Sequence, residues 1–407
     1  MESYLRDPPH NEPVRNPQVF TSPFMSTLHI SSLFDSGAIE VLHQDDPANI
    51  QLRIPSDNAA EFAQWFHFRL QGAAGVPVTL RFMNASACAY PKGWDGYQVV
   101  ASHDRQHWFR IATTYDGTVM TASTTPDTNS IYFAYFEPYS WDRHLDLIGS
   151  VAASEHVQVE HLGQTLDRRD LNLLRIADAS SAVPEAQRKK IWVIARQHPG
   201  ETMAEWFIEG FLERLLDTDD PSARVLLAQC VFYVVPNMNP DGSVRGNLRT
   251  NAVGSNLNRE WLTPTMEKSP EVFLVRARMQ QTGVDLCLDA HGDEALPVNF
   301  VIGSDGIAGF TQRIKGLQDV FKAAWVAASP DFQTQEGYGP AHGTRANPTL
   351  ATNWIAQNFD CLAFTLEMPF KDNAGLPDAA HGWSGERSKK LGASVLQPMR
   401  SVVGQLR

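Results

Sequence analysis

The sequence predicts an N-terminal antiparallel β-sandwich followed by an α/β domain whose sheet is covered by helices on both faces. Three observations carry that expectation. Between about residues 23 and 140, short runs rich in β-branched and aromatic residues recur at fairly regular spacing, with turn residues between them. Beyond the segment EPYSWDRHLD (137–146) the texture changes to continuous apolar runs of strand length interleaved with helical stretches, as expected for strands buried on both faces. The length, 407 residues, suits two domains at roughly 150 residues each.

In chain order, residues 1–22 are polar and proline-rich and read as an irregular lead-in. AIEVLHQ, NIQLRIP, WFHFRLQG, PVTLRFMN, YQVVASHD, HWFRIATTY, TVMTAST and SIYFAYF are then the strand candidates of a sandwich over 23–140. Several alternate apolar and polar residues, which suits strands with one buried face. In the second part, 141–407, IWVIARQ, VFYVVP, DLCLDA and LAFTLEMP are strand candidates. MAEWFIEGFLERLL places Met203, Phe207, Phe211 and Leu215 at helical spacing.

Composition narrows the class. With 43% hydrophobic and 20% charged residues the chain is an ordinary globular protein, not a disordered, collagen-like or disulfide-framework chain. Against 34 basic residues stand 46 acidic ones, a formal charge of −12, which disfavours nucleic acid and anionic membranes as partners. Cys88, Cys230, Cys287 and Cys361 lie far apart with no CxxC pair, so buried free thiols in a reducing compartment are expected. No secretory signal or apolar run of membrane-spanning length is seen, and a cytoplasmic protein is the expectation.

Three polar clusters directly follow buried strand candidates: Gln197-His198-Pro199-Gly200-Glu201, Asp289-Ala290-His291-Gly292-Asp293-Glu294, and Thr365-Leu366-Glu367. Ligands of open α/β sheets bind outside the carboxyl ends of strands. Pro199 and Gly200 would break the strand and let His198 and Glu201 point into one volume. Adding His291 gives two nitrogens and one carboxylate, the donor set of a catalytic zinc with one position left for water. Each histidine could instead be a hydrogen-bonded residue at a strand end. Glu367 could move a proton beside such a metal, or form a salt bridge with an arginine. A fourth segment, NMNPDGSVRGNLRTNAVGSNLNREW, follows VFYVVP and is too long and polar for a plain connector.

Together these residues resemble the zinc metallocarboxypeptidases of the M14 (funnelin) family over roughly 140–400, closest to the cytosolic carboxypeptidases, which carry an N-terminal β-sandwich. The resemblance implies a mixed sheet with helices on both faces and one Zn²⁺ held by His198, Glu201 and His291, with Glu367 as general base. In NPDG, RTNAVG and NLNREW it implies that Arg249 stabilises the oxyanion and that Asn258 and Arg259 bind the substrate's terminal carboxylate. A planar guanidinium suits that carboxylate, although either arginine could be an ordinary surface residue. Tyr338 in EGYGPAHG stands where the family has a mobile substrate-contacting tyrosine, though its offset from Glu367 differs. Arg345 in HGTRAN is the candidate cation for an acid-selective pocket, or a solvated loop arginine. His342 and His381 lack partners at metal spacing. The implied activity is hydrolysis of C-terminal peptide bonds in peptide or protein tails. A zinc deacylase of N-acyl amino acids and an inactive binding scaffold are the alternatives.

Overall fold

The computed structural model describes residues 27–338 and 346–407; the lead-in, His342 and Arg345 lie outside the described residues. Ten short strands come first: β1 (His29–Ser31), β2 (Glu40–His43), β3 (Ile50–Arg53), β4 (His67–Gln71), β5 (Val78–Phe82), β6 (Val100–Ser102), β7 (Phe109–Arg110), β8 (Ala112–Tyr115), β9 (Met120–Thr124) and β10 (Ser130–Ala134). They form two five-stranded sheets, β1-β4-β10-β6-β7 and β2-β3-β5-β9-β8. All pairings are antiparallel except β3 with β5, where Ile50 faces Leu80 in parallel register. The run HWFRIATTY, read as one strand, is two. The chain breaks at Ile111, whose N–H donates to Val99 O, so β7 pairs with β6 in one sheet and β8 with β9 in the other. Phe66, Phe68, Phe82 and Phe133 are fully buried in the sandwich interior.

Ser140 opens the second part by accepting the Arg143 N–H as the N-cap of helix α1 (Trp141–Val151). Seven strands follow: β11 (Val157–Gln164), β12 (Asp170–Ile176), β13 (Lys189–Ala195), β14 (Cys230–Val235), β15 (Leu286–Asp293), β16 (Phe300–Ile302) and β17 (Leu362–Pro369). They make one mixed sheet, β11-β12-β14-β13-β15-β17-β16. Its four central strands are mutually parallel, and its outer pairings are antiparallel. Around it pack α2 (Met203–Leu215), α3 (Pro221–Gln229), α4 (Pro240–Arg245), α5 (Pro270–Thr282), α6 (Gln312–Ala328), α7 (Ala351–Phe359), α8 (Gly385–Ser394) and α9 (Leu396–Val402).

The period-two alternation of strand side chains divides the core. Ile191, Val193 and Ala195 of β13 join Phe207 and Phe211 of α2 on one face. Trp192 and Ile194 join Val272 and Met279 of α5 and Ile355 of α7 on the other. The first of these cores continues into the sandwich without interruption. At the junction Tyr135 stacks on Phe370 with ring centroids 4.4 Å apart, and Arg110 pairs with Asp372 at 3.2 Å. The carboxyl ends of β13, β15 and β17 open beside this junction.

Candidate active site

The first candidate ligand pair depends on how the chain leaves β13. Arg196 takes a left-handed φ of 60°, a conformation that costs a non-glycine residue energy unless its surroundings hold it. Its buried guanidinium donates to Glu205 Oε2 at 2.6 Å, Tyr139 O at 2.9 Å and Pro199 O at 3.0 Å. The turn so fixed puts His198 Nδ1 2.7 Å from Glu201 Oε1. His291, one strand away on β15, brings its Nδ1 to 2.8 Å from Glu201 Oε2 and 3.2 Å from His198 Nδ1. All three residues are buried, and their ligand atoms lie within 4.8 Å of one another.

The outer nitrogens set the chemistry of the inner ones. His291 Nε2 sits 2.9 Å from Asp289 Oδ2, and His198 Nε2 sits 3.1 Å from Asn256 Oδ1. A ring that donates its Nε2 proton to an oxygen presents a lone pair at Nδ1. With no proton on either inner nitrogen, two lone pairs and a carboxylate would face one another at these distances, an arrangement a cation relieves, and the donor set is that of catalytic zinc. The residues therefore fit the metal. Burial, aided by Arg249, pushes His198 down to about 4, which keeps its ring neutral as a ligand must be.

Glu367 stands directly across from His291 in the parallel β15–β17 register. Its side chain is buried, and among the described residues Oε2 has no hydrogen-bond partner. Burial drives its pKa well above the ordinary carboxylate value, partly opposed by His291. Among the described residues no arginine or lysine forms a salt bridge with it. A cleft of about 1040 Å³ opens here, lined by the three candidate ligands, Glu367, Arg249 and Arg259. Tyr338 enters the same cleft; its hydroxyl donates to Asp293 Oδ2 at 2.6 Å, and its ring packs edge-on against Phe300.

The long polar segment after β14 forms the cleft's other wall. NPDG is structural: Asn239 caps α4 by accepting Gly242 N–H, and Asp241 accepts from Thr165 Oγ1 and Arg169 Nη1, both at 2.8 Å. A Cβ on Gly242 would lie 2.5 Å from Thr250 O and 2.7 Å from Pro199, so only glycine lets this wall press against the His-x-x-Glu turn. Gly200 N–H donates to Leu248 O at 2.8 Å and ties the two together. Asn258 Oδ1 accepts Ala351 N–H at 2.9 Å, while the exposed Arg259 donates to Asn258 O at 2.7 Å and lines the cleft. Arg249 lies over the rings of Phe62 and Tyr90, at 5.5 and 5.7 Å, both from the sandwich. His381 pairs with Asp378 at 3.3 Å, away from the cluster.

Sequence reasoning did not single out Asp289, Asn256, Phe62 or Tyr90. Asp289 was readable, because it lies two residues before His291 on a strand and so shares its face. Phe62 and Tyr90 carry no local signal that would connect them to an arginine far along the chain.

Comparisons with known proteins give the family. Residues 30–136 match the family model for the cytosolic carboxypeptidase N-terminal domain, and residues 149–382, more than half of the chain, match the model for zinc carboxypeptidase. A solved metallo-carboxypeptidase from Burkholderia cenocepacia is 49% identical over 93% of this chain and 100% of that one, with a TM-score of 0.90. One from Pseudomonas aeruginosa, in complex with (2-guanidinoethylmercapto)succinic acid, is 44% identical over 93% of this chain and 100% of that one, with a TM-score of 0.89. Cytosolic carboxypeptidase 3 of Bos taurus is 26% identical over 69% of this chain, which spans only 31% of that relative's length. With two family models in the expected order and a buried two-histidine, one-carboxylate cluster in the second, the chain belongs to the zinc carboxypeptidase family of hydrolases and carries a cytosolic carboxypeptidase N-terminal domain before its catalytic part.

Proposed function

We propose that the protein removes residues from the free C-terminus of peptide or protein tails, using one zinc per chain held by His198, Glu201 and His291. The observation that carries this reading is the convergence of both Nδ1 atoms on the Glu201 carboxylate, in one cleft with Glu367 and two arginines. Zinc, when bound, acts as a Lewis acid on the scissile carbonyl and lowers the pKa of water.

The chain's own groups supply the remaining chemistry. Arg259, exposed to the cleft, takes the substrate's terminal carboxylate through its planar fork, with the Asn258 amide beside it. This restricts the enzyme to chain ends. Arg249 faces the scissile carbonyl and stabilises the charge that develops on its oxygen. Glu367 has a buried oxygen without a hydrogen-bond partner among the described residues. It takes a proton from the attacking water and returns it to the leaving amine. Tyr338 closes over the bound residue from the side of Asp293. The sandwich walls the cleft with Tyr90, and among the described residues the candidate metal cluster takes no side chain from it.

Release of acidic residues is the finer reading, resting on Arg345 as the cation of the side-chain pocket. The Pseudomonas relative was solved with a succinic acid that carries a guanidino arm, a ligand that bears carboxylates as a chain end does. Four buried free cysteines support a cytoplasmic setting, as do the names of the relatives. Among the described residues no helix is long and apolar enough to cross a membrane.

The test is incubation of the zinc-loaded protein with peptides ending in Glu, Asp, Lys, Phe or Ala, and with N-acyl amino acids, read by mass spectrometry. Stepwise loss of single C-terminal residues, fastest from Glu, is expected. Turnover of N-acyl amino acids alone would replace this reading with the deacylase, and absence of both zinc binding and turnover would leave a binding scaffold.

A further inference from the structure

The sandwich reaches the arginine wall through one buried carboxylate. Asp57, between β3 and β4, is 6% exposed and accepts four hydrogen bonds from three consecutive residues of the catalytic part. Leu248 N–H donates to its Oδ1 at 2.6 Å. Arg249 N–H and Thr250 N–H donate to its Oδ2 at 2.8 Å each, and Thr250 Oγ1 donates at 3.0 Å. The neighbouring residue extends the grip, with Asn58 Nδ2 donating to Ala252 O at 2.6 Å and Asn247 Nδ2 donating to Asn58 Oδ1 at 2.7 Å.

Three successive amides aimed at one anion fix the backbone dihedrals on both sides of the central residue, and that residue is Arg249. Its guanidinium is then seated by Phe62 and Tyr90 from the same domain. Both the base and the tip of the Arg249 side chain are therefore held by the sandwich. None of the four donors to Asp57 is a cation, so among the described residues the carboxylate is met by oriented dipoles of this one loop. A charge placed there makes the loop geometry depend on it more strongly than a neutral acceptor would.

We infer that Asp57 is a positioning residue for Arg249, so that the N-terminal domain takes part in turnover through the arginine facing the scissile carbonyl. This rests on the role given to Arg249 above. The test uses the full chain, zinc-loaded, as wild type, Asp57→Asn, Arg249→Ala and the double variant. It reads kcat, KM, zinc content and amide hydrogen exchange over 247–252.

Asp57→Asn should lower kcat roughly 10²-fold, the cost of displacing a reacting group by about an ångström, with KM and zinc content unchanged and faster exchange at 248–250. Arg249→Ala should lower kcat by about 10²–10³-fold, as for loss of an oxyanion donor. The double variant should be no slower than Arg249→Ala, since the two act as a unit. Wild-type kcat in Asp57→Asn, or losses that multiply in the double variant, would overturn the inference and leave the role of Arg249 standing. Normal kcat in Arg249→Ala would overturn both. If Asp57→Asn folds poorly, Thr250→Val removes one of the four bonds. It should slow the wild type several-fold, and the Arg249→Ala protein not at all; equal slowing of both would again overturn the inference.

Discussion

The metal cluster and the arginine wall face each other across one cleft but are built differently. The cluster stands on the ends of β13 and β15 with its supports close by: Asp289 two residues from His291, and Arg196 two residues from His198. The arginine wall is a segment of irregular chain and short helix held by distant groups, with Asp57 gripping residues about 190 positions away. His291 inherits the rigidity of β15, and His198 and Glu201 sit on a short turn pinned by the buried Arg196, whereas an arginine on a long irregular segment has to be fixed by whatever packs against it. The comparison teaches that the candidate metal cluster takes its three side chains from the catalytic part, whereas the arginine wall is held partly by the sandwich.

The largest expected effect tests the local half. His291→Ala should remove the zinc and reduce turnover below detection, because a two-ligand site no longer matches what zinc requires. Full zinc occupancy in that variant would sink the ligand assignment. Glu367→Gln should keep the fold and the metal while lowering kcat roughly 10²-fold or more, the share proton transfer commonly supplies. Near-normal kcat would mean that another group moves the proton. Asp289→Asn leaves the ligands in place but weakens the acceptor behind His291, and should cost about 10–100-fold in zinc affinity measured by competition with a chelator.

The smallest effect probes the wall from beneath. Glu271, in the first turn of α5, is buried under the loop and meets Asn251 Nδ2 at 3.3 Å, while Asn251 Oδ1 accepts the Ser255 N–H at 3.0 Å. Burial raises the Glu271 pKa from 4.5 to about 8. The folded state therefore binds a proton that the unfolded chain has lost, so the stabilisation present below pH 4.5 drains away as pH rises toward 8. Glu271→Gln should raise stability by about 1–3 kcal/mol above pH 8 and by little below pH 4.5. A thermal-melt difference independent of pH would show that the carboxyl is ionised throughout.

The same contrast explains what was legible in the sequence. The four central strands of the sheet were readable because burial on both faces writes them as unbroken apolar runs. β11 and β12 were not, since most of β11 alternates between exposed and half-buried positions, and β1 has a single buried residue, Ile30. His198, Glu201, His291 and Glu367 stood out because each ends such a run with a polar group whose burial needs a reason. Arg249, Asn258 and Arg259 emerged only from a family resemblance, as their segment has no periodicity. Asp57 gave no signal at all: its partners are backbone amides, which any sequence supplies. The break of HWFRIATTY at Ile111 was hidden for a related reason, because a strand changing sheets keeps its apolar character.

The central claim, that this zinc hydrolase recognises a free chain end, is tested most directly by one substrate pair: a peptide and its C-terminal amide, compared by kcat/KM on the zinc-loaded protein. Arg259 and the Asn258 amide have a carboxylate to bind in the first and none in the second. The free acid should be shortened by one residue at a time, and the amide should react at least about 10²-fold more slowly, since the cationic fork is left unpaired. Equal rates on the two, or cleavage inside the chain, would contradict it.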